Sequence, residues 1–407
     1  MKNRVIILGS TGSIGVNTLA VISANQDNFS VFALVANSSI ENLSNQCKVY
    51  EPRYAHVNNE KDAKKLSLIL RNLDLNTEVL FGRESLNALV TLQEVDTVVC
   101  AISGSVGLES SLNAVKSGKR ILLANKESLV MSGDLMIKAA NKSKAFIIPV
   151  DSEHNALFQI LMTSNNNPKL GAKSFYDKNI KEVQLTASGG PFLDFTQKDL
   201  AKVSIKQAIN HPTWKMGKKI SVDSATMMNK GFEIIEACIL FGLKPDQVKV
   251  MIHRQSLMHA MVVFNDESVI SHLSNHDMRI AISYALSWPS RNRLNLKSLD
   301  LTNYKSLTFE KVKKGQFKCL DLAYKAMYIG LNAPTILNAA NEIGAKNPWD
   351  GGDQYQANND NFKPAKGQTN LSCKSQFTGS DKTCMLTTNT GSDDTVSYDV
   401  QDKITME

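Results

Sequence analysis

The chain has 407 residues, 43 % hydrophobic and 21 % charged, with a formal net charge of +7. That length supports two or three folded units with sizeable cores. The basic excess contains no dense Lys/Arg run, no stretch approaches the ~20 apolar residues of a membrane span, and the six scattered cysteines form no CxxC pair, so nucleic acid and membrane are not expected partners and a reducing cytoplasm is the expected compartment.

Along the chain, "RVIILGSTGSIGVNTLAVIS" reads as strand, glycine turn and helix, and "FSVFALVAN" as a second strand. "DTVVCAI", "RILLAN" and "AFIIPV" are short, β-branched and bounded by turn residues, which predicts further buried strands. Helical patterns lie between them, so residues 1–150 are expected to form a Rossmann-like parallel sheet covered on both faces. From 151 to 287 an α/β unit with a mixed or antiparallel sheet is expected. "HNALFQILM" is helical there, "EVQLTASGGPF" a strand entering a glycine loop, and "KKISVDSATMMNKGFEIIEACILFG" a strand, loop and helix. "QVKVMIH", "AMVVFND" and "SVISHLS" are three more strands. Residues 288–312 read as a linker and 313–342 as a C-terminal helical segment, with Gly330 placed to end one helix and Pro334 in the first turn of the next. Residues 343–407 carry six lysines against nine acids and are rich in Asn, Asp, Thr, Ser and Gly. Such a tail struggles to bury enough apolar surface to offset its ordering entropy.

Several stretches carry chemistry. Gly9, Gly12 and Gly15 form a G-x-x-G-x-x-G turn between the first strand and helix, where a backbone can approach a dinucleotide pyrophosphate. The same spacing also suits a turn required only for packing. The second strand ends in Ala36-Asn37-Ser38, with no acid to hold a ribose 2′-hydroxyl. That favours NADP, although no basic residue stands there for the 2′-phosphate. Asp151 and Glu153 follow a buried strand, and in an extended segment residues two apart point to one side. Two such carboxylates repel unless a proton or cation lies between them, and oxygen donors suit Mg²⁺ or Mn²⁺. Two solvated loop acids are an equal reading. On the helix after "SATMM", Asn229, Lys230 and Glu233 share a face. Ser188-Gly189-Gly190 offers an anion cradle. His211, Trp214 and Met216 lie in a loop-like stretch that suits a lid, and Lys126 follows a strand end.

Taken together, "GSTGSIG", "LANKESLV", "PVDSEHNALFQ", "TASGGPF", "HPTWKMGKKISVDSATMMNKGFE" and "PTILNAANE" closely resemble, in this order, the 1-deoxy-D-xylulose 5-phosphate reductoisomerase family, from about residue 3 to Glu342. The resemblance implies an NADPH- and divalent-cation-dependent enzyme, typically a cytoplasmic homodimer, acting on a phosphosugar. Its product is 2-C-methyl-D-erythritol 4-phosphate, on the non-mevalonate route to isoprenoids. By matching positions it places the metal ligands on Asp151, Glu153 and Glu233. It places the substrate on Lys126, Ser152, Glu153, Ser188, His211, Trp214, Ser224, Asn229, Lys230 and Glu233, with Lys126, His211 and the three acids catalytic. The cofactor falls on the glycine turn with Thr11, Ser13 and Ile14, on Ala36, Asn37 and Ser38, and on Asn125, Glu127 and Gly217. The implied chemistry is breaking and remaking of a carbon–carbon bond, then reduction of the aldehyde.

Three departures stand out: first, the family usually carries a glycine or a basic residue around Ala36-Asn37-Ser38, and this chain has neither. Arg254 occupies the place of a usual proline, and the match is expected to stop at about Ile343, where the polar tail replaces the rest of a helical bundle. Two other readings compete: a plain NAD(P)H reductase without rearrangement, which has no use for three converging acids, and a non-catalytic dinucleotide-binding chain.

Overall fold

The structure is a computed structural model that describes residues 2–163, 179–200, 202–210, 217–313, 315–346, 370–372 and 387–389. The expected lid residues His211, Trp214 and Met216 lie outside the described residues, as does most of the polar tail.

The first unit is a seven-stranded parallel sheet. Its strands are β1 (Asn3–Leu8), β2 (Phe29–Val35), β3 (Tyr54–Val57), β4 (Glu78–Phe81), β5 (Thr97–Cys100), β6 (Arg120–Leu123) and β7 (Phe146–Pro149). The spatial order is β4-β3-β2-β1-β5-β6-β7. The strands are interleaved with helices α1 (Ser13–Ser23), α2 (Ile40–Tyr50), α3 (Glu60–Asn72), α4 (Arg83–Leu89), α5 (Leu108–Lys116) and α6 (Lys126–Ser143). Val5 through Leu8 are fully buried, as expected of a central parallel strand covered on both faces. β3 and β4 were not expected. β5, β6 and β7 are as short but sit in longer apolar runs, whereas polar residues break "YAHV" and open "EVLF"; β3 is a strand through its pairing on β2, and β4 through its pairing on β3.

α7 (Ser152–Thr163) leads into the second unit. Its sheet comprises β8 (Ile180–Ala187), β9 (Val248–Ile252), β10 (Met258–Phe264), β11 (Val269–Leu273) and β12 (Glu310–Lys311), in the order β11-β10-β8-β9-β12. β8 and β9 are parallel and the other pairs antiparallel, so the sheet is mixed. β12 lies inside the expected linker and closes one edge. Helices α8 (Gln197–Leu200), α9 (Ile205–Ala208), α10 (Lys218–Ala225), α11 (Met228–Phe241) and α12 (Met278–Ser287) complete the unit. The expected strand at "KKISV" is instead α10, begun at Gly217 and braced one turn apart by Lys219 and Asp223.

Two further helices, α13 (Lys318–Ile329) and α14 (Ala333–Lys346), lie against the site helices. Cys319 and Ala323 of α13 share a buried cluster with Phe232 and Ile235 of α11. Thr335 of α14 donates to the Met131 carbonyl of α6 at 3.1 Å. In the tail, β13 (Asn370–Ser372) and β14 (Thr387–Asn389) pair antiparallel. Among the described residues no helix is long and apolar enough to cross a membrane.

An aromatic cluster ties α12 back to the first sheet. Phe146 of β7 stacks on Trp288 at 4.5 Å, and Phe158 of α7 meets both Trp288 and Tyr284 at about ring-edge geometry. Phe158 is fully buried. Phe158→Ala is therefore expected to cost about 3–5 kcal/mol of stability, read as a lower denaturant midpoint with unchanged slope.

Candidate active site

The glycine turn after β1 sits where the strand order reverses between β1 and β5, the place at which doubly wound sheets bind ligands. Gly9 has φ +82°, and a β-carbon there would lie 2.6 Å from the Ala101 carbonyl oxygen. The turn can thus lie directly on the loop after β5 only with glycine at this position. Gly12 caps α1 with no side-chain hydrogen bond, leaving the first amides of that helix for an anion. A backbone cradle with an uncapped helix start fits a dinucleotide pyrophosphate.

One cavity of about 500 Å³ runs from this turn to the acids. Gly12, Ser13, Ile14, Asn125 and Glu127 line its nucleotide end. Gly9, Thr11 and Gly15 do not line it; Gly9 and Gly15 pack the turn against neighbouring backbone. Ala36, Asn37 and Ser38 also lie outside the lining. Ala36 is buried, and Asn37 and Ser38 are exposed at the end of β2. Asn125 caps α6 by accepting from the Ser128 amide at 2.9 Å, and its amide donates to the Gly104 carbonyl at 2.9 Å.

At the other end, Lys126, Asp151, Ser152, Glu153, Asn229, Lys230 and Glu233 meet. The segment 151–153 is not extended as expected. The Asn155 amide donates to the Asp151 carbonyl at 2.7 Å, so a helix starts here and Glu153 sits in its first turn. The carboxylates converge because Asp151 flanks the helix and Glu153 lies within it, beside the positive end of the dipole. On α11, Asn229 Nδ2 donates to Glu233 Oε1 at 2.6 Å. Lys230 donates to Glu153 Oε1 at 2.6 Å and to Glu233 Oε2. Lys126 donates to Asn229 Oδ1 at 2.9 Å, to Glu233 Oε1 at 3.3 Å and to Asp151 Oδ2. The Ser152 hydroxyl donates to Glu153 Oε2 at 2.6 Å.

These charges are buried, and their proton affinities follow. Burial opposes the Lys126 ammonium, yet Asp151, Glu233 and Glu236 lift it well above the usual lysine range. Burial, then repulsion from Glu153, pushes the Glu233 carboxyl up to about 7. Burial would raise Asp151 too, but Lys126 and His154 hold it below the usual carboxylate range.

One oxygen from each of Asp151, Glu153 and Glu233 lies within 4.8 Å of the others. Three hard carboxylate donors, two from the start of α7 and one from α11, fit Mg²⁺ or Mn²⁺. Asp151, His154 and Glu236 also fall within 4.8 Å of one another, but His154 and Glu236 do not line the cavity. The set facing the cavity is therefore the three acids.

Beside them, Gly190 has φ +67°, and a β-carbon there would meet the Ser224 carbonyl oxygen at 2.6 Å. This close approach brings the Ser188 loop against Ser224, and Ser188, Ser224 and Gly217 all line the cavity. Arg254 follows β9 and forms paired bonds of 2.7 Å to Asp194 and one of 2.6 Å to Glu310, so the substituted position ties this loop to β12. His259, Lys219 and Asp223 line the cavity and were not anticipated. His259 is on β10, in "MHAMVVF", where its alternation reads as ordinary strand. Lys219 and Asp223 were hidden by the strand reading of "KKISV".

Two outcomes follow. Glu233→Gln is expected to weaken Mn²⁺ binding by about 10- to 100-fold while NADPH binding is retained, read by titration calorimetry and fluorescence. Unchanged Mn²⁺ affinity removes Glu233 from the donor set. Burial lowers both His259 and His272 to about 4. Their folded pKa values lie below the unfolded value near 6.5, so the folded state binds fewer protons between the two. Stability is expected to be full above pH 6.5 and to fall as pH drops towards 4. Thermal melts across this range should show His272→Gln losing less than wild type.

Family sequence profiles match three parts of the chain: 1-deoxy-D-xylulose 5-phosphate reductoisomerase over residues 5–133, its C-terminal domain over 147–241, and the DXP reductoisomerase C-terminal domain over 273–350. The last match runs past the expected end near Ile343. The 1-deoxy-D-xylulose 5-phosphate reductoisomerase of Shewanella sp. (strain ANA-3) is 49 % identical over 346 residues, covering 85 % of this chain and 87 % of that protein. That of Janthinobacterium sp. (strain Marseille) is 46 % identical over 343 residues, covering 84 % and 86 %. Among solved structures, DOX-P reductoisomerase in complex with NADPH, fosmidomycin and magnesium aligns with a TM-score of 0.80 at 42 % identity, covering 85 % of each chain. The Zymomonas mobilis enzyme in complex with NADPH aligns at 0.78 and 36 % identity, covering 86 % and 87 %. The chain belongs to the 1-deoxy-D-xylulose 5-phosphate reductoisomerase family.

Proposed function

We propose a division of labour among the residues of this cavity for the family's reaction. The protein converts 1-deoxy-D-xylulose 5-phosphate to 2-C-methyl-D-erythritol 4-phosphate with NADPH and a divalent cation. The observation that carries the assignment is the meeting of Asp151, Glu153 and Glu233 at one end of a cavity whose other end is the glycine turn. A plain reductase has no need of that acid cluster.

In this reading Asp151, Glu153 and Glu233 hold Mg²⁺ or Mn²⁺. When bound, the ion supplies Lewis acidity to the substrate carbonyl and the dinucleotide supplies the hydride. Lys126 and Asn229 orient Glu233 and Asp151 through the contacts above, so the donor oxygens are held before substrate arrives. Ser188, Ser224, Asn229 and Lys230 surround the substrate phosphate: two hydroxyls, an amide and an ammonium. Ser152 orients Glu153. Gly12, Ser13, Ile14, Asn125, Glu127 and Gly217 hold NADPH.

The chain divides near residue 150 into a nucleotide part and a catalytic part reaching residue 287, followed by a linker to 312, the C-terminal helices and the tail. It works as a homodimer in the cytoplasm. β11 supports the dimer, being a sheet edge with Val269 and Ile270 about half exposed, at 53 % and 48 %. Four buried free thiols among the described residues support a reducing compartment.

The direct measurement is NADPH oxidation with 1-deoxy-D-xylulose 5-phosphate, with product identified by mass and carbon skeleton. Turnover is expected with Mn²⁺, lost on chelation and restored on adding the ion back. Turnover that survives chelation, or a reduced product with an unrearranged skeleton, would identify a plain reductase instead.

A further inference from the structure

A line of polar contacts runs from the last helix to the nucleotide end of the cavity. Asn341 on α14 donates from Nδ2 to Asp223 Oδ1 at 2.8 Å. The other oxygen of Asp223, Oδ2, accepts from Lys219 Nζ at 3.2 Å. The same ammonium donates to Glu127 Oε1 at 2.7 Å. Lys219 and Asp223 stand one turn apart on α10, and Glu127 lies in the first turn of α6. Glu127, Lys219 and Asp223 line the cavity; Asn341 does not, and reaches it through Asp223.

The geometry makes Lys219 a shared cation. One ammonium faces two carboxylates, and its flexible stem lets it move towards either. Asp223 is almost fully buried, and the Asn341 amide satisfies the oxygen that Lys219 does not reach. Without that amide, Asp223 has one unsatisfied buried acceptor and competes more strongly for Lys219. Glu127 then loses the partner that holds its carboxylate. A carboxylate at the rim of a dinucleotide pocket is the matching acceptor for a sugar hydroxyl.

We propose that Asn341 is a positioning residue for dinucleotide binding, acting through Asp223 and Lys219 to hold Glu127 where it accepts a sugar hydroxyl of NADPH. This rests on the reading of Glu127 as a cofactor-binding residue. It makes α14 part of the binding machinery and not only a cover for α6.

The test is NADPH affinity by fluorescence titration of the full chain, for wild type, Asn341→Ala, Asn341→Ser, Lys219→Met, the Asn341→Ala/Lys219→Met double variant and Glu127→Gln. Asn341→Ala is expected to weaken binding about three- to tenfold, the scale of one hydrogen bond to a charged group. Lys219→Met weakens it at least as much, and the double variant no further than Lys219→Met alone. In turnover, the KM for NADPH rises while kcat holds within about twofold, and Mn²⁺ affinity is unchanged because the acid cluster is untouched. Thermal midpoints report folding, and Asn341→Ser keeps the test open should the alanine variant fold poorly. Wild-type NADPH affinity in the folded Asn341 variants, with Glu127→Gln impaired, overturns the relay alone. Additive losses in the double variant overturn it as well. Wild-type affinity in Glu127→Gln removes the cofactor role of Glu127, and the relay falls with it.

Discussion

Three carboxylates and two ammonium groups share one buried corner, where each charge is offset by the others. Glu233 and Lys230 are each almost fully withdrawn from solvent, at 1 % and 5 % side-chain exposure. A lone charge at such depth is costly, and breaking a buried pair strands its partner. The corner is also where three helices begin. Lys126 opens α6, Glu153 lies in the first turn of α7, and Lys230 in that of α11. The positive ends of three dipoles favour the acids and oppose the lysines, so the lysines are held there by the acids. The same electrostatics suit a ligand with both a divalent cation and a phosphate.

The rest of the chain brings these helix starts together. The parallel sheet delivers α6 from β6 and α7 from β7, adjacent strands whose ends therefore lie side by side. α11 comes from far along the chain and is pressed into place from two sides. His154 of α7 donates to the Glu233 carbonyl at 2.8 Å, and α13 covers the opposite face. Glycine serves where backbone must touch backbone. Gly9 lets the nucleotide turn rest on the loop after β5, and Gly190 lets the Ser188 loop rest on the end of α10.

Much of this was legible in the residues because the signals were local. Five strands of the first sheet, the glycine turn and the Asn229–Lys230–Glu233 face each rest on spacing within one element. The misses share a cause. β3 and β4 are strands because β3 pairs on β2 and β4 on β3, and their polar residues shorten the apolar run that made the equally short β5, β6 and β7 legible. "KKISV" has the β-branched look of a strand, but Gly217 and the Lys219–Asp223 pair make it helix. Asp151 and Glu153 do converge, through a helix start and not a pleat. His259 gave no signal, since a histidine in an alternating strand shows nothing of the cavity beside it.

The sequence by itself determined the class of fold and the family, and it marked the candidate site residues, because strand and helix periodicities and the long motifs are properties of contiguous residues. Only the tertiary structure decided which charges meet. Lys126, Asp151 and Glu233 are separated by tens of residues, and their contacts depend on strand order and helix packing. The same holds for Asn341, whose link to Asp223 joins the last helix to a site more than a hundred residues upstream. Distances of that kind are set by burial of faces across the whole molecule, which no local pattern encodes.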